Sequence, residues 1–266
     1  MSDFSPSELS ILLIEPSPTQ RKMIISSFES ENVDNIDIAA SKADALAKLD
    51  FYQPDLIVSS LYFDDGTSLE LLKEIRTDDK LQDIPFMLIS SETRRAQLEE
   101  FKQSGVVAIL PKPFTMANLH TAIDATIDLL SEEEIDLEHY DVQSLRVLVV
   151  DDSPLALKMI NRVLSGLGIV HMTNASDGSK AIPILENENF DLVVTDYNMP
   201  EVNGAELAEY IRNSPQHSHI PVLMVSSDAG ETHLSHVAQS GVDAIVGKPF
   251  APNEVKKLLF KLLDGD

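Results

Sequence analysis

The chain repeats itself at a constant spacing of 136 residues, which is the interval between Lys112 and Lys248. The matched blocks, in chain order, are Ser17-Pro18 with Ser153-Pro154, Lys22-Met23-Ile24 with Lys158-Met159-Ile160, Asp55-Leu56 with Asp191-Leu192, Ile75-Arg76 with Ile211-Arg212, Ile84-Pro85 with Ile220-Pro221, Ser90-Ser91 with Ser226-Ser227, Gln103-Ser104-Gly105-Val106 with Gln239-Ser240-Gly241-Val242, and Lys112-Pro113-Phe114 with Lys248-Pro249-Phe250. Because a repeat of this length is as long as a typical domain, each copy is expected to fold as one unit. The 266 residues therefore predict two similar domains.

Short apolar runs alternate with longer helical patterns within each copy. In the second copy the apolar runs cover 147–150, 192–194, 222–225 and 244–246, and the helical patterns cover 153–167, 205–213, 231–240 and 252–263. Continuous apolar runs indicate strands that helices cover on both faces, as in parallel sheets. We therefore predict the α/β class, with a doubly wound parallel sheet in each copy. In such sheets ligands bind beyond the carboxyl ends of the strands.

The segment between the two copies is strongly acidic. Residues 131–141 hold six Asp or Glu residues and no Lys or Arg. We predict a first domain at 1–130, an acidic linker at 131–143 and a second domain at 144–266. A solvated linker or an extension of the preceding helix is the simplest interpretation, and a docking strip for a basic partner is the alternative.

The charge of the chain limits its partners. The formal net charge is −24, which disfavours direct binding to nucleic acids and to acidic membrane surfaces. There is no cysteine, so disulfides, thiol catalysis and cysteine zinc sites are excluded. The N-terminus lacks a signal-peptide pattern and no apolar run is long enough to span a bilayer. We expect a soluble cytoplasmic protein whose partners are other proteins.

Polar residues of the second copy follow the apolar runs where the predicted strands end. Asp151-Asp152 follow the first strand, Asp196 the third, Ser226 the fourth and Lys248 the fifth. Three carboxylates at one sheet edge repel one another unless a cation joins them, and carboxylate oxygens with waters suit octahedral Mg²⁺. An anionic nucleophile, a metal ion, a lysine and a hydroxyl together are typical of phosphoryl transfer.

These residues carry a family resemblance over nearly all of both copies. The motifs are Val149-Val150-Asp151-Asp152-Ser153, then Val194-Thr195-Asp196-Tyr197-Asn198-Met199-Pro200 with Gly204, then Ser226, then Lys248-Pro249-Phe250. Together they resemble the receiver domain of two-component response regulators, in a chemotaxis-regulator-like form. The resemblance implies two flavodoxin-like (βα)5 domains in tandem.

The resemblance also implies a role for each site residue. Asp196 would accept a phosphoryl group from phosphohistidine, and Lys248 and Ser226 would contact its oxygens. Asp152, Asp196 and the backbone carbonyl of Asn198 would ligate Mg²⁺, with Asp151 holding a coordinated water. Asn198 and Asp228, each two residues beyond a site residue, would tune the lifetime of the phosphate.

One position departs from the family pattern. Three residues before the lysine, where the family often has Tyr or Phe, this chain has Ile245. An aromatic switch coupled to Ser226 is therefore in doubt. The simplest interpretation of Ile245 is a filled position at the edge of the core.

The first copy keeps the predicted scaffold but loses the acidic residues. Glu15 stands at the Asp151 position, Pro16 replaces Asp152 and Ser60 replaces Asp196, while Ser90 and Lys112 remain. One carboxylate is too few to bind Mg²⁺ tightly. Ser60 cannot form the acyl phosphate, because a neutral hydroxyl has neither the carboxylate's charge nor a base beside it. We expect a degenerate pseudo-receiver in which Lys112 pairs with Glu15 or bonds Ser60.

Charge supports this division between the copies. Residues 1–143 hold 28 acids and 11 Lys or Arg, a net −17, whereas 144–266 hold 16 acids and 9 Lys or Arg, a net −7. Four histidines, at 217, 219, 233 and 236, are interpreted as surface residues, because no third ligand accompanies either pair.

We expect a signalling switch rather than an enzyme with independent turnover. Only three residues, ending in Gly265-Asp266, follow the last predicted helix. We therefore expect output through contacts with a downstream protein, on a face built from 229–239, 244–246 and 252–263. Its phosphodonor would be a sensor histidine kinase or a histidine phosphotransfer protein, and the sequence leaves a homodimer open. The alternatives are a phosphate-relay intermediate or sink, and a scaffold acting through the pseudo-receiver. A haloacid-dehalogenase-like phosphatase would need a second acid at Asn198.

Overall fold

Each half of the chain folds around its own five-stranded parallel sheet. The computed structural model describes residues 4–92, 94–131, 133–227 and 241–265, in two units, Met1–Ser131 and Glu132–Asp266. The predicted α/β class with two doubly wound sheets is confirmed. Within the described ranges, no helix is both long and apolar enough to cross a bilayer.

The first unit contains seven strands and five helices among its described residues. They are β1 (Ser10–Ile14), α1 (Pro18–Glu29), β2 (Asn35–Ala39), α2 (Lys42–Leu49), β3 (Leu56–Ser60), β4 (Tyr62–Phe63), β5 (Gly66–Thr67), α3 (Ser68–Thr77), β6 (Phe86–Ser90), α4 (Arg95–Gln103), β7 (Ala108–Pro111) and α5 (Met116–Leu130). The main sheet has the order β2-β1-β3-β6-β7, with all pairs parallel. The strands β4 and β5 form a small antiparallel hairpin directly after β3.

The second unit has the same strand order over its described residues. Its elements are β8 (Arg146–Val150), α6 (Pro154–Gly166), β9 (His171–Ala175), α7 (Gly178–Asn187), β10 (Leu192–Asp196), α8 (Gly204–Asn213), β11 (Val222–Ser226), β12 (Ala244–Gly247) and α9 (Pro252–Leu263). The sheet order is β9-β8-β10-β11-β12, again with parallel pairs. The helix predicted at 231–240 lies outside the described residues.

The first helix of each unit starts at the same local signal. Ser17 and Ser153 are N-caps whose hydroxyls accept the backbone N–H of Gln20 (3.4 Å) and Ala156 (3.2 Å). A proline follows each serine, where its missing N–H costs no helical hydrogen bond. The repeated Ser-Pro pair therefore sets the point at which each chain turns from its first strand into its first helix.

Alternate residues of each buried strand supply the cores on the two faces of the sheet. In β1, Leu12 and Ile14 belong to one buried cluster, and Ile11 and Leu13 belong to the other. This alternation follows from the two-residue period of a strand. Each buried aliphatic side chain contributes about 1.5–3 kcal/mol, so both helix layers are held against the sheet.

The junction between the units differs from a fully solvated linker. Ile135 and Leu137 are buried, and the Ile135 N–H donates to the carbonyl of Leu167 (3.0 Å). The backbone N–H groups of Glu138 and His139 donate to the Asp264 carboxylate, at 2.7 and 3.0 Å. The interpretation of 131–143 as a solvated linker is therefore wrong for this part. Its apolar residues are buried and its backbone N–H groups are hydrogen-bonded, which its acidic composition does not indicate.

Candidate functional site

Four strands of the second unit deliver the predicted site residues to one edge of the sheet. Asp196 is the last residue of β10, Ser226 is the last residue of β11, and Asp151 and Lys248 directly follow β8 and β12. Because the strands are parallel and in register, their carboxyl ends meet at this edge. The peptide bond between Lys248 and Pro249 is cis, as is the equivalent bond between Lys112 and Pro113.

Three carboxylates and one ammonium group converge there. Ligand oxygens of Asp151, Asp152 and Asp196 all lie within 4.8 Å of one another, and Asp152 is the exposed member at the mouth. Lys248 Nζ lies 2.8 Å from Asp151 Oδ2 and 2.9 Å from Asp196 Oδ1. The site therefore combines a deeply buried ion-pair network with one acid that solvent reaches.

Backbone groups hold these side chains in position. The Ser153 N–H donates to Asp151 Oδ1 (2.9 Å) and the Asn198 N–H donates to Asp196 Oδ2 (3.1 Å). Ser226 is buried, and its carbonyl accepts the Lys248 N–H at 2.8 Å. The main chain of Asn198 therefore lies beside Asp196.

Burial and mutual repulsion raise the pKa values of Asp196 and Asp152. Burial raises the pKa of Asp196 to about 6, with the negative charge of Asp151 adding to the rise and Lys248 opposing it. Burial and then the Asp151 charge also raise the pKa of Asp152. The pKa of Lys248 is raised by Asp196 and Asp151 although burial acts against the charged form. With three acids facing one ammonium group, the site has an excess of negative charge.

This excess fits a divalent cation. Two buried carboxylates and one exposed carboxylate offer oxygens on one side, and solvent reaches the site beside Asp152 for the waters that Mg²⁺ retains. A cation there offsets the repulsion from the neighbouring acids, which adds to the effect of burial on the pKa of Asp196. Among the described residues, Asp151, Asp152 and Asp196 are the group of acids or histidines arranged to hold a metal. His217 is buried, so its interpretation as a surface residue is wrong, and His233 and His236 lie outside the described residues.

Removing the charge of Asp196 is expected to stabilise the metal-free second unit at neutral pH. Its pKa in the folded state is about 6 against an ordinary value of 3.8, so between these values the folded form binds more protons than the unfolded form. The contribution of Asp196 to the free energy of unfolding therefore falls as the pH rises from about 4 to about 6.

The substitution Asp196→Asn is accordingly expected to raise that free energy by about 1–3 kcal/mol at pH 7 in EDTA, and to change it little at pH 4. The difference in the free energy of unfolding is measured by urea unfolding at both pH values. Hydrogen exchange of peptides from β8 and β10 reports the unfolding of the second unit. Equal effects at the two pH values would contradict the assignment.

Gly204 is a positioning residue whose role the motif alone does not explain. A Cβ atom built on it would lie 2.1 Å from the carbonyl oxygen of Asp196, which no side chain can occupy. The first unit carries Ser68 at the equivalent position, where the buried hydroxyl donates to Ser59 Oγ (2.9 Å). The missing side chain at Gly204 therefore lets α8 start close against the main chain of Asp196.

We expect Gly204→Ala to displace Asp196 and to slow about a hundredfold the phosphorylation that the sequence predicts for it, because reacting groups tolerate little misplacement. Gly166→Ala in α6 is the matched control, because beyond its chain neighbours and the adjacent backbone of its own helix no atom lies within 4 Å of the added Cβ. Single-turnover phosphorylation by acetyl phosphate compares the two. A normal rate for Gly204→Ala would show that the close approach has no part in positioning Asp196.

In the first unit the corresponding edge holds a self-contained ion pair. Lys112 Nζ lies 2.9 Å from Glu15 Oε2 and 3.3 Å from Ser60 Oγ, so both predicted contacts of Lys112 are confirmed. The Ser60 hydroxyl also donates to Glu15 Oε2, and the Ser17 N–H donates to Oε1 (2.9 Å). Although burial acts in the opposite direction, these hydrogen bonds and Lys112 hold the pKa of Glu15 below its ordinary value.

The predicted output face is only partly within the described residues. Ile245 is half-buried in β12, paired with Met224 in the sheet register, which agrees with a filled position at the core edge. Helix α9 exposes Phe260. Asp228 and the segment 229–239 lie outside the described residues, so their predicted roles stay predictions.

This fold and site define a class of signalling protein. Residues 11–124 and 147–260 both match the model of the response regulator receiver domain. The chain belongs to that family and carries two receiver domains in tandem, which places it in two-component signalling.

The individual relatives each match about half of the chain. The chain is similar to the chemotaxis protein CheY of Pseudomonas aeruginosa, with 36% identity over 120 residues, 45% of this chain and 97% of that protein. It is 34% identical to CheY-3 of Vibrio cholerae over 122 residues, 46% of this chain and 94% of that protein. Among solved structures, CheY4 of Vibrio cholerae matches 45% of this chain and 98% of its own, with 28% identity and a TM-score of 0.42.

Proposed function

We propose that this protein is a response regulator switched by Mg²⁺-dependent phosphorylation of Asp196 in its second receiver domain. The observation that carries the proposal is the cluster of three carboxylates at the carboxyl ends of the strands, two of which are paired with Lys248. An excess of acid around one buried lysine suits a site that gains a cation and a phosphoryl group together.

Asp196 is the nucleophile in this proposal. With a pKa of about 6 its carboxylate is mainly ionised at neutral pH, and contacts from Lys248 and the Asn198 N–H orient its two oxygens. One carboxylate oxygen forms a bond to phosphorus as the P–N bond of phosphohistidine breaks, and the imidazole leaves with the electron pair. The product is an acyl phosphate on Asp196 and a free histidine on the donor.

The neighbouring residues stabilise the transferred group. Asp152, Asp196 and the carbonyl of Asn198 would hold Mg²⁺, and Asp151 would hold one of its waters. When bound, the ion supplies positive charge that offsets the acids and the phosphoryl oxygens. Lys248 contributes a second positive charge, and the buried Ser226 hydroxyl donates to a phosphoryl oxygen.

The first receiver domain does not take part in this chemistry. Among its described residues the buried carboxylate is Glu15, which Lys112 already neutralises, and Ser60 stands at the position of Asp196. A hydroxyl bonded to a carboxylate that Lys112 also holds has no free base to activate it. We infer that this domain is a pseudo-receiver.

Phosphorylation adds a dianionic group at Asp196 and shifts an existing equilibrium between two arrangements of the output face. The donor is a histidine kinase or a histidine phosphotransfer protein, and the output is a contact with another protein. The described part of that face is β12 with helix α9.

Intact-mass spectrometry after incubation with acetyl phosphate and Mg²⁺ tests the proposal. We expect one phosphoryl group per chain, and none when EDTA removes the ion. Two phosphoryl groups per chain would refute the pseudo-receiver assignment. Unmodified protein, with acetyl phosphate and with a phosphorylated histidine phosphotransfer protein alike, would refute the whole proposal.

A further inference from the structure

The first receiver domain contains a cavity where the second has its acidic site. It has a volume of about 670 Å³ and lies over the carboxyl ends of β1, β3, β6 and β7. This volume is within the range of sites that bind small organic molecules. The degenerate domain has therefore kept a concave site while losing the acids of a phosphoryl site.

The charged groups at the floor of the cavity are already paired with one another. Glu15 and Lys112 neutralise each other at 2.9 Å, and Gln20 Oε1 accepts a further hydrogen bond from Lys112 at 2.5 Å. At the rim, Glu92 is paired with Arg94 at 2.7 Å. An anion would meet two carboxylates here and a cation would meet two basic groups, so an uncharged ligand is favoured.

The walls are apolar and partly exposed. Met23 and Tyr62 retain 67% and 54% of their accessible surface, and Ile24 and Phe114 continue the same lining. The first domain carries a large excess of acidic residues. Exposed apolar side chains around a concave surface of such a domain indicate a binding site for an apolar ligand.

One buried hydroxyl is available to a ligand. Ser90 lines the cavity and is 3% exposed, and its oxygen accepts the Glu92 N–H at 2.9 Å. In the hydrogen bonds of the described residues its own proton has no acceptor. A carbonyl or ether oxygen placed in the cavity would satisfy this donor.

We propose that the first receiver domain binds an uncharged, mainly apolar small molecule in this cavity, with a hydrogen-bond acceptor of the ligand directed at the Ser90 hydroxyl. The second domain would then respond to phosphorylation and the first to a small molecule. This binding does not depend on Asp196, so a failure of ligand binding and a failure of the proposed phosphorylation can be told apart.

A fluorescence titration of the full chain with Nile red, an uncharged apolar dye that carries a carbonyl group, tests the site. We expect saturable binding of one dye per chain, with the same affinity in wild type and in Asp196→Asn. Met23→Glu is expected to raise the dissociation constant at least about tenfold, since it puts a charge against the ligand. Ser90→Ala is expected to raise it about two- to tenfold and to shift the dye emission to the blue.

Phe51→Glu is the matched control for Met23→Glu. Phe51 is 90% exposed and lies in the loop between α2 and β3, at the opposite end of the sheet. Its substitution should leave dye binding unchanged. Equal losses for both variants would show binding to exposed apolar surface in general, and would overturn the proposal. The proposal would also be overturned if no dye binds and sedimentation shows a dimer of the chain that Met23→Glu dissociates. The cavity would then be a contact between two copies.

Discussion

Replacing Asp196 with asparagine is expected to abolish phosphorylation of this protein, whereas replacing Ser60 with alanine leaves it at the wild-type level. Asparagine keeps the size of the side chain and its place at the end of β10, but an amide has no anionic oxygen to attack phosphorus. Ser60 ends β3 in the same register position, and its hydroxyl is engaged with Glu15 and Lys112.

The two substitutions form a matched pair because the residues lie 136 positions apart in equivalent domains. Intact mass after acetyl phosphate and Mg²⁺, and the spectral response to beryllofluoride, measure the outcome. A phosphoryl group on the Asp196→Asn variant would place the acceptor elsewhere in the chain. Loss of phosphorylation in Ser60→Ala would mean that the first domain takes part in the chemistry.

The substitution Lys248→Met is expected to destabilise the second domain by about 3–5 kcal/mol at pH 7 in EDTA, because it leaves two buried acids without their cation. Lys248 is 7% exposed and bonds both Asp151, which is fully buried, and Asp196. Since Asp196 has a raised pKa of about 6 even with Lys248 present, lowering the pH below that value protonates it and reduces the loss. Mg²⁺ is expected to restore part of the stability, because it binds the folded domain.

Lys112→Met is the control for this prediction. Its side chain is more exposed, and without it Glu15 keeps hydrogen bonds from the Ser60 hydroxyl and the Ser17 N–H. We expect a loss of about 1 kcal/mol with no recovery in Mg²⁺. Urea unfolding with hydrogen exchange of peptides from each domain separates the two effects. Recovery by Mg²⁺ in both variants, or in neither, would contradict the assignment of a metal site to the second domain alone.

Most of the site could be predicted from the sequence, because the end of each strand can be recognised where its apolar run stops. The runs that became β8, β10 and β11 are buried on both faces, so each is a continuous apolar segment followed by its polar residue. Once those strands are parallel, Asp151, Asp196 and Ser226 have to lie at one edge, and Lys248 joins them at the end of β12. The roles of these residues in phosphoryl transfer remain proposals that the predictions above test.

The elements of the second unit that the sequence did not predict include an edge strand of the sheet and the helix that follows it. Strand β9 has one buried residue, Ala175, and otherwise polar or partly exposed side chains, so it lacks an apolar run. Helix α7 starts at Gly178 and contains Pro183, two residues that normally argue against a helix. Both are stabilised by packing against neighbours, which local propensity does not record.

The sequence by itself determined the duplication, the parallel α/β class, and the loss of acids from the first copy, because each depends on residue type and spacing along the chain. Tertiary structure decided what depends on close approach between distant residues. It brought the junction residues Glu138 and His139 to Asp264, placed the Asp196 carbonyl where Gly204 admits no side chain, and left a cavity over the Glu15 ion pair. Such contacts depend on how the helices pack against the sheet. A linear pattern of apolar and polar residues does not specify the distances between residues that are far apart in the chain.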